Sequence, residues 1–257
     1  MAIHLQELAR RMLADYDART PCRIFAEPID LTIHQAYALQ AEIARLREAR
    51  GERVIGYKIG CASPAVQKQL GISEPIFAPL YDTECHNSGV RLSHARYANL
   101  AIEGELAVRL AADVSLSTLA GDICQSAIES IFPVIELHHY VLISPRPCCE
   151  ELISSNGLHA GFVVAEQPHG GPQARVRNLN ILVNDEQVGA SDNPWTMADP
   201  MASLRWLSVR LADCGLRLSR GQVILTGSSL PLYPVGCGSR VVVESPPLGR
   251  CCVTIGP

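Results

Sequence analysis

Glu103 and Glu105 stand two residues apart in Leu100-Ala-Ile-Glu-Gly-Glu-Leu-Ala-Val-Arg-Leu110. The segment alternates with period two. Ile102, Leu106, Val108 and Leu110 face one way, while Glu103, Glu105 and Arg109 face the other. That is the pattern of a strand, which projects both carboxylates from one face, whereas a helix would splay them by about 200°. Two like charges this close repel unless water or a cation lies between them. Gly104, between them, weakens a strand unless a backbone or ligand must come close. A third acid, Glu136, sits inside the apolar run Phe132-Pro-Val-Ile-Glu-Leu137, where an unpaired charge is expensive. Three carboxylates supply hard oxygen ligands suited to Mg²⁺ or Mn²⁺, and ill suited to zinc without His or Cys partners. On spacing alone the competing reading is a solvated strand face.

Other residue types invite chemistry less strongly. Lys58 lies in the Gly-flanked apolar stretch Gly56-Tyr-Lys-Ile-Gly60, and Asp82 closes a strand as a turn residue would. Thr226-Gly227 reads as a strand end. His138 and His139 read as structural histidines beside a strand, while His159 is a candidate for a pocket.

The elements that must position these residues follow from periodicity and punctuation. Residues 3–18 form an amphipathic helix with Leu5, Leu8 and Met12 on one stripe. A second helix covers about 32–50, opened by a Thr32/Gln35 capping box, lined by Ala36, Leu39, Ile43 and Leu46, and ended by Gly51. From Val54 onward short strands and turns dominate. A short helix is expected near 122–131, stopped by Pro133, followed by a strand over Val134–His138. Asp199 and Pro200 open a helix carrying Leu204, Leu207 and Leu211 to Gly215. Strands Gln222–Thr226, Arg240–Glu244 and Arg250–Ile255 complete the chain. The expected organisation is a helical region over 1–52 packed on a catalytic body over 53–257, with no linker between them.

Composition narrows the class. The 257 residues are 47% hydrophobic and 19% charged, enough for a sizeable core, and the net charge of −4 with no Lys/Arg cluster argues against nucleic acid or an anionic membrane as partner. No signal sequence and no apolar run long enough to span a bilayer are evident, so the expected location is cytoplasmic. The ten cysteines contain no C-x-x-C and read as reduced, mostly buried small hydrophobes.

Six ordered segments then carry a resemblance: Gly56-Tyr-Lys-Ile-Gly-Cys61, Phe77-Ala-Pro-Leu-Tyr-Asp82, Ile102-Glu-Gly-Glu-Leu106, Pro133-Val-Ile-Glu136, Asn156-Gly-Leu-His-Ala-Gly161 and Leu225-Thr-Gly-Ser228. Together they resemble the fumarylacetoacetate hydrolase superfamily, in its 2-keto-4-pentenoate hydratase and 4-oxalocrotonate decarboxylase branch, from about residue 30 to the C-terminus. The resemblance implies a mixed, β-rich α/β fold, a mixed β-sheet roll with a small N-terminal helical region. It implies metal ligands at Glu103, Glu105 and Glu136, with Mg²⁺ as cofactor and Mn²⁺ as a substitute. It implies catalytic roles for Lys58 and Asp82, and a substrate-binding set of Lys58, Leu80, Asn156, His159 and Thr226. Where relatives often have Asp-Asn-Ala-Ser, this chain has Ser155-Asn156-Gly157-Leu158. The implied activity is hydration of a 2-hydroxy-2,4-dienoate to a 4-hydroxy-2-oxo acid. The alternatives are decarboxylation of a 2-oxo diacid, or an inactive partner subunit of such a complex. The implied partners are a small 2-oxo acid, further copies of the chain in a homo-oligomer, and a sister pathway enzyme.

Overall fold

The computed structural model describes residues 4–27, 30–114, 126–165, 170–171, 174, 176, 178–195, 200–246 and 248–257. Two helices lead. Helix α1 (Leu5–Ala18) buries Leu8, Ala9 and Met12, and α2 (Ile33–Ala49) opens on the expected capping box, Thr32 and Gln35 each satisfying the other's backbone N–H. They share a core with α4 (Cys149–Ser154) and with Ile76, Leu142 and Leu158.

The body is built from two sheets. Strands β1 (Val54–Gly60) and β2 (Ile76–Tyr81) flank the seven-residue α3 (Pro64–Leu70), and short β3 (Cys85–Asn87) and β4 (Val90–Ser93) follow. The long antiparallel pair β5 (Ala101–Leu110) and β6 (Ile128–His138) is joined by β7 (His159–Val164). After β8 (Leu179–Val183) and β9 (Glu186–Ser191), helix α5 (Pro200–Asp213) leads to β10 (Val223–Leu225), β11 (Tyr233–Pro234), β12 (Arg240–Ser245) and β13 (Gly249–Gly256). Among the described residues the larger sheet runs β2-β1-β10-β5-β6-β7-β3 with β11 on β5, and the smaller runs β4-β13-β12-β8-β9. This is the mixed, β-rich α/β fold that the sequence predicts. No helix among the described residues is long and apolar enough to cross a membrane.

Alternation along β5 gives the large sheet two faces. Ile102, Leu106, Val108 and Leu110 enter the main core with Ile181 of β8 and Val243 of β12. Gly104 belongs to that face: a Cβ there would lie 2.7 Å from Ile181 Cγ1, so the close approach that the glycine signals is that of the second sheet. On the other face Ala107, Phe132, Val134, Phe162 and Leu225 form a fully apolar floor, and Glu103, Glu105 and Glu136 continue it toward one end.

One expected element is corrected. Of the helix expected near 122–131, residues 128–131 lie in β6, whose pairing with β5 matches Val108 to Ile131 and Leu110 to Ile128 and buries both isoleucines. Long-range pairing outweighs the local helical pattern here. Pro133, expected as a stop, is inside the strand, one residue beyond the last position paired to β7. Residues 122–125 and Asp199 fall outside the described residues.

Candidate active site

The register of β5 and β6 places Glu103 directly across from Glu136. Like charges facing each other across a strand pair are destabilising, so the pair demands positive charge nearby. Part of it comes from Lys58 of β1, which reaches the same face because β1 runs parallel to β10 with Lys58 beside Leu225. Its Nζ donates to Glu136 Oε1 (2.7 Å) and to the carbonyl of Gly157 (2.9 Å). Gly157 has φ +61°, and a Cβ on it would lie 2.7 Å from Lys58 Cε, so glycine is required both by the backbone and by the lysine. His159, fully buried, places Nδ1 2.7 Å from the same Glu136 oxygen.

Electrostatics divide the acids. Burial would raise the Glu136 carboxyl, but the Lys58 ammonium, followed by His138 and His159, holds it well below the usual carboxylate range. Burial depresses Lys58, yet Glu136, Glu103 and Glu105 outweigh it and keep the amine above its ordinary value. Glu105 goes the other way: burial, then the charges of Glu136 and Glu103, push it well above the carboxylate range. Its Oε2 accepts from the Gly227 N–H at 2.8 Å. Two buried carboxyl groups in contact cannot both ionise without a proton or a cation to neutralise them.

The donor set fits a divalent cation. Ligand atoms of Glu103, Glu136 and His138 all lie within 4.8 Å of one another. His138 Nε2 is 3.3 Å from Glu103 Oε2 and 3.7 Å from Glu136 Oε2. Glu136 Oε2 and both ring nitrogens of His138 are buried without a hydrogen-bond partner among the described residues. Buried polar atoms are rarely left so unless something else engages them. Glu105 lies two residues from Glu103 on the same face of β5 and lines the same cavity, so the three predicted acids stand together and His138 joins them. The signal for His138 was present in sequence: it is two residues beyond Glu136 on one strand and so shares its face.

Lys58, Glu103, Glu105 and His138 of this cluster line a cavity of about 910 Å³, with Ile76, Leu152, Leu158 and Leu230 among its apolar residues. That is near the upper end of the roughly 300–1,000 Å³ range of small-molecule sites.

Four predicted residues lie elsewhere. Asp82 sits beyond the Val54 end of the β1–β2 pair, four residues along β2 from the position opposite Lys58, or about 13 Å of strand. There it accepts from the Arg53 backbone N–H (2.9 Å) and guanidinium (2.8 Å), which lower its pKa, and it does not line the cavity. Leu80 is fully buried in the apolar floor, removed from the cavity wall. Asn156 donates to the Pro79 carbonyl at 2.9 Å, and Thr226 Oγ1 donates to the Leu106 carbonyl at 2.8 Å; both fasten backbone and neither lines the cavity. His159 likewise acts through Glu136, not at the cavity wall.

No family model matches the chain. Its relatives are nonetheless consistent. It is 28% identical over 241 residues to a 2-hydroxyhexa-2,4-dienoate hydratase of Comamonas testosteroni, covering 92% of this chain and 91% of that protein. It is 30% identical over 230 residues to a 2-oxo-hept-4-ene-1,7-dioate hydratase of Escherichia coli, covering 84% of each. In fold it is similar to a 4-oxalocrotonate decarboxylase from Pseudomonas putida G7, complexed with magnesium and adipate, with a TM-score of 0.89 over 98% of this chain and 97% of that one at 22% identity. The chain therefore belongs to the family of 2-keto-4-pentenoate hydratases and 4-oxalocrotonate decarboxylases, which are lyases, and has the fold of the fumarylacetoacetate hydrolase superfamily.

Proposed function

We propose that the protein is a metal-dependent hydratase that adds water to a 2-hydroxy-2,4-dienoate to give a 4-hydroxy-2-oxo acid. The observation that carries this reading is a buried carboxylate–imidazole cluster with unsatisfied donor atoms beside a cavity with apolar walls. Glu103, Glu105 and Glu136 would hold the cation, with His138 beside them, and Mg²⁺ or Mn²⁺ is the hard ion that three carboxylates favour. Bound there, such an ion supplies Lewis acidity toward negative charge developing on a 2-oxo oxygen.

The chain's own residues set the rest. Lys58 has three N–H donors and spends two on Glu136 and Gly157. The third is left for a substrate carboxylate, since Lys58 also lines the cavity. His159 fixes the rotamer of Glu136, so one of its oxygens is committed and the other faces Glu103 and His138. The apolar walls accept the diene and lower the local dielectric, strengthening the polar interactions of the cluster.

Loss of CO₂ from a 2-oxo diacid is the second reading. The same cluster stabilises the same kind of charge, and the family contains both activities. The test is to follow the dienol absorbance of enzymatically generated 2-hydroxypenta-2,4-dienoate with the protein and Mg²⁺ or Mn²⁺. Metal-dependent loss of the absorbance supports the hydratase. Turnover of 2-oxo diacids alone, with CO₂ release, supports the second reading. No metal-dependent turnover of either contradicts both.

A further inference from the structure

The turn between α4 and β7 holds the only run of three left-handed residues among those described. Asn156, Gly157 and Leu158 follow one another at φ +60°, +61° and +61°. Glycine adopts that conformation freely and asparagine tolerates it, but for a bulky leucine it is a steric outlier that persists only where neighbouring contacts enforce it. The exit of the turn is enforced by backbone: the Leu158 N–H donates to the Ser155 carbonyl (3.1 Å), and the Leu158 carbonyl accepts from the His139 N–H (2.9 Å) at the end of β6. Its entry is held by a side chain, Asn156, whose Nδ2 donates to the Pro79 carbonyl at 2.9 Å.

That carbonyl belongs to a sheet edge. Strand β2 ends the larger sheet, so every second residue along it turns its backbone polar groups away from β1, where no strand meets them. Pro79 has no N–H to satisfy. Two residues back, the Phe77 N–H donates to the Tyr37 hydroxyl (3.3 Å), and the Phe77 carbonyl accepts from Gln40 Nε2 (3.1 Å), which also reaches the Ile153 carbonyl of α4 (2.8 Å). Side chains thus take all the outward groups of these two residues, and each bond registers a neighbouring segment on the strand. Across the pairing, Phe77 and Pro79 stand opposite Ile59 and Tyr57, the two neighbours of Lys58. The turn is therefore anchored to the strand pair that carries the lysine it contacts: the Gly157 carbonyl accepts from Lys58 Nζ at 2.9 Å.

We infer that Asn156 is a positioning residue for Lys58. Its bond to the edge of β2 holds the strained turn, the turn presents the Gly157 carbonyl, and that carbonyl aims the ammonium so that its remaining N–H meets the substrate carboxylate. This rests on the site reading above, in which Lys58 receives that carboxylate. Asn156 itself does not line the cavity, so its loss should weaken recognition of the carboxylate and leave the metal site as it is.

The test replaces Asn156 by glycine and by aspartate, two residues that accept left-handed backbone, so that the donor is lost without added strain. The Mn²⁺-loaded wild type and both variants are titrated calorimetrically with 2-oxopentanoate and with its uncharged amide, neither of which carries the unsaturation that hydration needs. The acid should bind about tenfold or more weakly to Asn156→Gly and Asn156→Asp, the value of one hydrogen bond to a charged group. Affinity for the amide, and for Mn²⁺ followed by electron paramagnetic resonance, should change by about twofold or less. Equal losses on acid and amide, or no loss on either in a folded variant, overturn the inference and leave the proposed function standing. Failure of both variants to fold, read by thermal unfolding, makes the asparagine structural and overturns it too. If neither probe binds the Mn²⁺-loaded wild type, the site reading falls and this inference falls with it.

Discussion

Two clusters of buried charge lie in this protein and are resolved in opposite ways. In the first, Arg47 of α2 is 4% exposed and gathers Glu52 (2.5 Å) and Glu84 (2.6 Å), with its guanidinium 3.6 Å over the Tyr81 ring. Tyr16 and Thr83 add hydrogen bonds to the same acids, at 2.7 and 2.8 Å. In the second, three acids share one lysine, two of them hold opposed positions on paired strands, and Glu136 Oε2 and the ring of His138 are left without partners. Arg50 also pairs with Glu52, so in the first cluster two guanidiniums face two acids, and the cluster serves to join α2 to the sheet. The second is short of positive charge by construction and lies open to a large cavity. Burial of charge is therefore no guide to function by itself; an uncompensated remainder beside a cavity is.

That contrast can be broken most forcefully at Glu136. Glu136→Gln should lower metal-dependent turnover by about 10²–10³ or more, as expected for loss of an electrostatic group at a reacting centre. It also removes the partner of a buried lysine and should cost about 3–5 kcal/mol of stability, read by denaturant unfolding. Turnover near wild type would erase the distinction between the clusters. Arg47→Met should cost a similar 3–5 kcal/mol, since it leaves Glu84 buried without a cation and Glu52 with Arg50 alone, while the rate per folded molecule stays within about twofold. A selective loss of rate there would show that the first cluster is functional as well.

Acid titration should sharpen the same contrast. Burial raises the Glu52 carboxyl, but the hydrogen bond and charge of Arg47 outweigh it and hold the folded-state pKa below the ordinary value. A depressed folded pKa means that the stabilisation is fully present above the unfolded-state value, about 4.3, and is lost as pH falls through the folded one. Glu52→Gln should therefore flatten the acid limb of a stability–pH profile below about pH 5, and an unchanged limb would mean that the pair contributes nothing there. The smallest effect is expected at Asp82, which is bound to Arg53 away from the cavity. Asp82→Asn should leave kcat/KM within about twofold, as is usual for surface substitutions, and a large loss of kcat would return Asp82 to the chemistry.

Much of this arrangement is legible in the sequence. Period-two alternation puts Glu103 and Glu105 on one face, the Thr32/Gln35 box marks the start of α2, and the Gly-flanked apolar setting singles out Lys58, whose burial only the fold reveals. The rest depends on long-range pairing that local pattern does not encode. Residues 128–131 look helical until β5 claims them. Asp82 looks functional at the end of a motif, and only the register of β1 on β2 shows that it lies well away from Lys58. Gly104 signals a close approach without saying from which side; it is Ile181 that fills the space. His138 reads as a structural histidine, although the alternation that joins Glu103 to Glu105 equally joins Glu136 to His138.

The central claim is that this acid cluster binds a hard divalent cation, and a direct Mn²⁺ titration of wild type and Glu103→Gln, followed by electron paramagnetic resonance, tests it without reference to any substrate. Glu103 is the most exposed of the three acids and is not hydrogen-bonded to Lys58, so its removal should leave the fold intact, which a thermal unfolding curve checks. The account predicts one Mn²⁺ per wild-type chain and an affinity weakened by about 10–100-fold or more in the variant, at least the loss attached to residues that merely orient metal ligands. A wild-type protein that binds no Mn²⁺, or a folded Glu103→Gln that binds it equally well, would contradict the account.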